Sequence, residues 1–217
     1  MTPTSAPSRV PPARPSALDR FDLALLRLAK RRRDRFDRSE GFYDGFFSER
    51  DFEKYVQDVR DVWRYRVFRR VLERSYPDGP VDVVDVGCGL GVASLSVPAR
   101  ASFVGVDVSA RSLERARALR SELTDFRQGG FPNLPLESAS YDFALCLEVL
   151  EHVPDDRRAV AELHRILRPG GHLLVSVPRT FYWPDYEGLI GHFRHYTADS
   201  LRALIESEGF EVVQPLP

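Results

Sequence analysis

The stretch VVDVGCGLG, Val83 to Gly91, constrains this chain more than any other feature. A run of β-branched residues leads straight into Gly87, Gly89 and Gly91, whose missing Cβ atoms allow a tight turn and a close approach of a ligand to the backbone. A glycine-rich turn directly after a strand is a nucleotide-type site. Asp107 ends a second apolar run, VGVD, 16 positions after Gly91. A carboxylate at the end of the second strand can accept both hydroxyls of a ribose. The glycines are spaced GxGxG and preceded by Asp85, whereas a dinucleotide site calls for GxGxxG, which shifts the weight away from NAD.

Around this motif the chain divides into three parts. Residues 1–17 hold five prolines among Ser, Thr and Ala with almost nothing apolar to bury, and read as a disordered tail. Residues 18–79 read as an N-terminal helical cap. In it Leu18, Phe21, Leu25, Leu28 and Ala29 recur at helical spacing, GFYDGFF sets four aromatics between glycines, and a second helix runs from about Asp51 to Ser75. From residue 80 to 217 short β-rich runs alternate with helical segments, the signature of an α/β domain with a largely parallel sheet. Strands are expected over Val81–Val86, Phe103–Val106, near Phe126, Phe143–Leu147, His172–Val177 and Phe210–Val213. Helices are expected over Ala110–Leu123, Asp155–Leu167 and Ala198–Glu208.

Composition removes several classes of function. With 31 basic against 32 acidic residues, the charge names no polyanionic partner, and no nucleic-acid module is visible. Cys88 and Cys146 are too few for a disulfide framework or a Cys-rich zinc site, which fits a reducing cytosol. No apolar run approaches the ~18 residues of a membrane helix, and the N-terminus lacks the apolar core of a signal peptide, so a cytoplasmic protein is expected.

DVGCGLG followed by GVDVS resembles the class I S-adenosylmethionine-dependent methyltransferases, and the likeness extends through SYDFALCLEVLEHV and LRPGGHLLVSVP. The resemblance implies a Rossmann-like, doubly wound, mostly parallel sheet and S-adenosylmethionine as cofactor. It places Asp85, Gly87, Cys88, Gly89 and Gly91 beside the methionyl part, Asp107 on the ribose and Val108 beside the adenine. Leu147 matches the position under the sulfonium, and Pro169 to Gly171 the turn before the fifth strand. Many relatives carry an acid after the third strand that reaches the adenine amino group. Here the stretch reads QGGF, so the backbone of Gly130 and the N–H and ring of Phe131 take that place. The sequence given ends soon after the sixth strand candidate, before the antiparallel seventh strand usual in the family, so either the sheet is shortened or the sequence is a fragment.

Methyl transfer needs alignment and exclusion of water more than acid–base machinery. For a hydroxyl acceptor the candidate bases are His152, His192 and His195, the last two in the loop HFRHYT, with His192 or His195 taken as the substrate-side base. Glu148, Glu151 and His152 form an ExxEH pattern that binds Mg²⁺ in some methyltransferases and is a plain helix start in many others. The assigned site contains no metal, and that alternative stays open. The aromatic cap residues Phe42, Tyr43, Phe46, Phe47, Tyr55 and Trp63 are candidates for an acceptor pocket or a small core. The expectation is methyl transfer to a small-molecule acceptor. A non-catalytic cofactor- or partner-binding module is the alternative. A nicotinamide oxidoreductase is disfavoured by the glycine spacing and by lysines confined to Lys30 and Lys54.

Overall fold

The computed structural model describes residues 63–119, 121–178 and 191–213. The expected tail, the first helix, the aromatic GFYDGFF segment and the start of the second helix all lie outside these residues, as does the side chain of Trp63. Strands β1 (Val81–Val86), β2 (Ala101–Asp107), β3 (Thr124–Gln128), β4 (Tyr141–Leu147) and β5 (Leu167–Ser176) form one sheet in the order β3-β2-β1-β4-β5. Every pairing is parallel. The chain winds outward from β1 to β3 and returns through β4 to the other side, so strand order reverses between β1 and β4. Crevices at that reversal, outside the carboxyl ends of the strands, are where open α/β sheets bind ligands. The described fold is thus the expected doubly wound α/β architecture.

Side-chain alternation explains why the sheet is covered on both faces. Val84, Val86, Ala144 and Cys146 point into one core with Ala159, Val160, Leu163 and Ile166 of helix α3 (Asp156–Ile166). Val81, Val83, Phe143 and Leu145 point into the other, with Phe68 and Leu72 of helix α1 (Trp63–Ser75) and Leu113 and Ala116 of helix α2 (Ala110–Ala116). Tyr141 breaks the parity of β4 by lying in the first core, because the pairing with β5 shifts register between Tyr141 and Phe143. The expected turn at Pro169 to Gly171 is therefore a bulge inside β5: Tyr141 pairs Leu167, Phe143 pairs His172, and Gly170 takes φ 80.

Local capping sets the helix starts. Ser109 accepts from the N–H of Ser112 to open α2, and Asp155 accepts from the N–H of Arg158 to open α3. Thr197 and Ser200 form a reciprocal box at the start of helix α4 (Ala198–Ser207). The helix expected to run to Leu123 is shorter, since α2 ends at Ala116 and a 3-10 turn follows over Arg117–Leu119.

Phe210 to Val213 are not a strand. Phe210 and Val212 pack against the first core, the Phe210 ring meets His164 at 5.2 Å edge-on, and Val213 is 75% exposed. Among the described residues no strand pairs with this segment, and β-rich composition alone does not make a ladder. No described helix is long and apolar enough to cross a membrane.

Candidate active site

The turn after β1 is built by backbone conformations that favour glycine. Gly87, Gly89 and Gly91 have φ 79, 51 and 72. A Cβ on Gly87 would lie 2.3 Å from Val149 Cγ2, and one on Gly91 would lie 2.6 Å from the Phe126 ring. Gly87→Ala should therefore cost at least about 2 kcal/mol, through the left-handed backbone and the contact with Val149 together. Calorimetric melting of the single variant and of Gly87→Ala with Val149→Ala checks this. The second change should restore only the part due to contact.

The hydrogen bonds of the turn are made within the protein. The N–H groups of Gly87 and Cys88 both donate to the Val106 carbonyl, at 2.8 and 3.0 Å, and that of Gly91 donates to the Cys88 carbonyl at 2.9 Å. The N–H of Gly89 donates to Asp107 Oδ2 at 2.8 Å. These four donors hold the turn in place and are not open to a ligand carboxylate. Cys88 faces inward as well: its sulfur would meet a Cβ on Gly105 at 2.8 Å, and it belongs to the second core. Burial pushes both thiols, Cys88 and Cys146, well up from their ordinary range.

Two carboxyl groups meet beneath the turn. Asp107, 9% exposed, accepts from the N–H of Gly89 through Oδ2 and from the N–H of Ser109 at 2.9 Å through Oδ1. Asp85 is 5% exposed, and among the described residues no donor reaches its carboxyl. Burial, and then the nearby Asp107 charge, push it up to about 7. A buried acid with no partner is costly to the fold, which marks Asp85 as a group arranged for something outside it.

The remaining expected residues lie along the same edge of the sheet. Val108, 38% exposed, sits against Gly130, where a Cβ would come within 2.5 Å of Val108 Cγ1. Gly130 bridges to Asn133, and Phe131, half-buried, packs against the first core ahead of Pro132. Leu147 ends β4 beside Ser176 of β5.

Glu148 follows Leu147 with φ 58, an unusual conformation for a residue with a side chain. Its N–H donates to the Ser176 carbonyl at 2.9 Å, and its Oε1 accepts from Ser176 Oγ at 2.7 Å.

A third group lies where the loop of residues 191–196 docks on the turn after β4. The N–H of Phe193 donates to the Glu151 carbonyl at 2.7 Å, the Tyr196 hydroxyl donates to Asp156 at 2.7 Å, and Arg194 pairs with Asp156. This docking brings together one ligand atom each from Glu151, His152 and His192, all within 4.8 Å of one another. Glu151 is 1% exposed and neither carboxyl oxygen has a hydrogen-bond partner, nor has Nδ1 of His192. Burial chiefly pushes Glu151 up to about 7, and burial with the two neighbouring histidines pushes His192 down to about 4.

The imidazoles form a row, His152 to His192 at 4.6 Å and His192 to His195 at 5.5 Å between ring centroids. His192 and His195 are thus brought together as expected. An imidazole as weakly basic as His192 is suited to accept a hydrogen bond rather than to keep a proton.

Comparison with known proteins agrees with this geometry. Residues 84–175 match the family described as a methyltransferase domain. A protein of Mycolicibacterium smegmatis named "Probable S-adenosylmethionine-dependent methyltransferase" is 37% identical over 139 residues, 62% of this chain and 54% of that protein. A ubiquinone biosynthesis O-methyltransferase of Cronobacter sakazakii is 39% identical over 99 residues, 43% of this chain and 41% of its own length. The chain thus spans about half the length of these relatives.

Among solved structures, a Haloferax volcanii methyltransferase in complex with the Trm112 activator superposes with a TM-score of 0.66 at 22% identity, covering 79% of this chain and 77% of that one. The [4+2]-cyclase SpnF superposes with a TM-score of 0.60 at 28% identity, covering 69% and 59%. With the glycine turn, the two aspartates and the strand order in agreement, residues 84–175 form a domain of the class I S-adenosylmethionine-dependent methyltransferase family.

Proposed function

We propose that this chain transfers a methyl group from S-adenosylmethionine to a small-molecule acceptor by direct in-line displacement. The observation that carries the reading is the unpartnered, buried Asp85 carboxyl beside the glycine turn and Asp107. Its environment fits an ammonium group, which would supply the missing donor and remove the cost of the buried charge. When bound, S-adenosylmethionine supplies a methyl group on a sulfonium, an activated leaving group. Asp85 holds the ammonium, and Asp107, at the carboxyl end of β2, accepts the ribose hydroxyls. Val108, Gly130 and Phe131 flank the adenine. Leu147 presents an apolar side chain under the reacting centre and keeps water from it. His192 and His195 stand on the acceptor side, where His192 Nδ1 accepts a hydrogen bond from an acceptor hydroxyl and orients it.

Incubation of the purified chain with S-adenosylmethionine and a panel of phenols, amines and carbon acids tests this. Formation of S-adenosylhomocysteine that depends on one acceptor class is expected. A chain that binds S-adenosylmethionine and leaves it intact with every acceptor favours the non-catalytic alternative, a reading to which the likeness to a cyclase lends weight.

A second reading rests on the two orphan oxygens of Glu151. Together with His152 and His192 they offer oxygen and imidazole ligands suited to a divalent cation. Glu148, the first acid of the ExxEH pattern, is instead held by Ser176 and is not in the group. A bound cation would polarise an acceptor oxygen. Calorimetric titration with Mn²⁺ should show one site that weakens at least about 30-fold in Glu151→Gln. Equal binding by both proteins would contradict the cation reading.

A further inference from the structure

The side of β4 and β5 that faces α1 carries an open slot, about 50 Å³ in volume, lined by Arg64, Val67, Leu147, Leu174, Val175 and Ser176. Among the described residues that line it, Val67, Leu147, Leu174 and Val175 are aliphatic and Arg64 is a cation. Leu147 and Ser176 are paired neighbours at the carboxyl ends of their strands, so the slot opens at the edge where the glycine turn and the histidine row lie.

Arg64 is half-buried, and among the described residues it has neither a hydrogen bond nor an ion pair. Neither Glu148 nor Glu151 pairs with it. Glu148 is occupied by Ser176, and Glu151 feels the Arg64 charge without forming a pair with it. A guanidinium set in an apolar wall presents a planar fork of donors that matches a carboxylate in two-point geometry. Desolvation by the aliphatic walls makes such a pairing selective: a neutral isostere leaves the fork unsatisfied.

We propose that Arg64 is the anion-recognition residue of the acceptor site, and that the methyl acceptor carries a carboxylate on an apolar body. This rests on the reading that methyl transfer occurs at the carboxyl edge of the sheet. The body lies along Val67, Leu174 and Val175, and the reacting atom projects past Leu147 toward the cofactor. Arg64 takes no part in the hydrogen bonds that build the glycine turn, so it acts on acceptor selection and leaves cofactor affinity alone.

Benzoate and its neutral isostere benzamide serve as probes, titrated by ligand-observed NMR into the full chain with and without saturating S-adenosylhomocysteine. The same titrations are made on Arg64→Gln and Arg64→Lys. Benzoate should bind at least about 10-fold more tightly than benzamide to the unaltered chain. The preference should vanish in Arg64→Gln and persist in part in Arg64→Lys, with S-adenosylhomocysteine affinity unchanged in both. Equal binding of the two probes, or a preference that survives Arg64→Gln, overturns the proposal. A chain that prefers benzoate through Arg64 but binds no S-adenosylhomocysteine refutes the methyltransferase reading instead, so the two failures are separable.

Discussion

Asp85→Asn is expected to abolish productive binding of S-adenosylmethionine while making the unliganded chain more stable at alkaline pH. The amide keeps the shape of the side chain but cannot pair with an ammonium. Loss of a charge-assisted contact in a buried site costs roughly 2–4 kcal/mol, or about 30- to 1,000-fold in affinity.

The stability effect runs the other way. Asp85 titrates near 7 in the folded chain, far above its ordinary 3.8, so the fold binds this proton more tightly than the unfolded chain does. The unliganded protein therefore loses stability as pH rises from about 4 to about 7, and the full penalty, on the order of 4 kcal/mol, is present above that. Asparagine carries no such penalty. Thermal melts of the two unliganded proteins at pH 5 and pH 8 should coincide more closely at the lower pH and separate at the higher, with the variant melting later. By the same linkage, affinity for the cofactor should fall up to about tenfold per unit as pH drops below about 7, because Asp85 must give up its proton to pair.

Asp107→Ala is expected to combine two losses that Asp85→Asn separates. In the proposed reading the carboxylate binds the ribose, and it holds the turn through the N–H groups of Gly89 and Ser109. Removing it strands two backbone donors, each worth about 1–3 kcal/mol, and frees the turn that places the other contacts. The variant should melt lower by several degrees and bind S-adenosylhomocysteine at least about 30-fold more weakly. Asp107→Asn, which keeps one acceptor oxygen, should fall between the two. Undiminished affinity in a folded Asp107→Ala chain would remove this residue from the cofactor site.

These two aspartates and the glycines were legible in the sequence for a physical reason. A left-handed backbone at three nearby positions demands a residue without Cβ, and the alternating strands before the turn and before Asp107 announce where each side chain emerges. The direction of the turn's N–H groups was not legible, because it depends on where the Val106 carbonyl lies in the neighbouring strand. The same holds for Arg64, whose place in a slot follows from how α1 lies on β4 and β5 and leaves no trace in periodicity.

Phe210 to Val213 has the composition of a strand, yet it packs as a loop because composition cannot supply a partner edge. The ExxEH pattern suggested a group of adjacent letters. The fold instead ties Glu148 to Ser176 and brings His192 across from another loop. Arg168, which pairs with both Asp82 and Asp142 at the opposite end of the sheet, could be singled out by no local pattern, since its partners lie on other strands.

The central claim is that the turn after β1, with Asp85 and Asp107, holds S-adenosylmethionine. Calorimetric titration of the purified full chain with S-adenosylhomocysteine, alongside NAD as a competitor for the same type of fold, tests it most directly. The account predicts one site of micromolar affinity for S-adenosylhomocysteine and no measurable heat with NAD. A folded chain that binds NAD, or that gives no heat with S-adenosylhomocysteine, would contradict it.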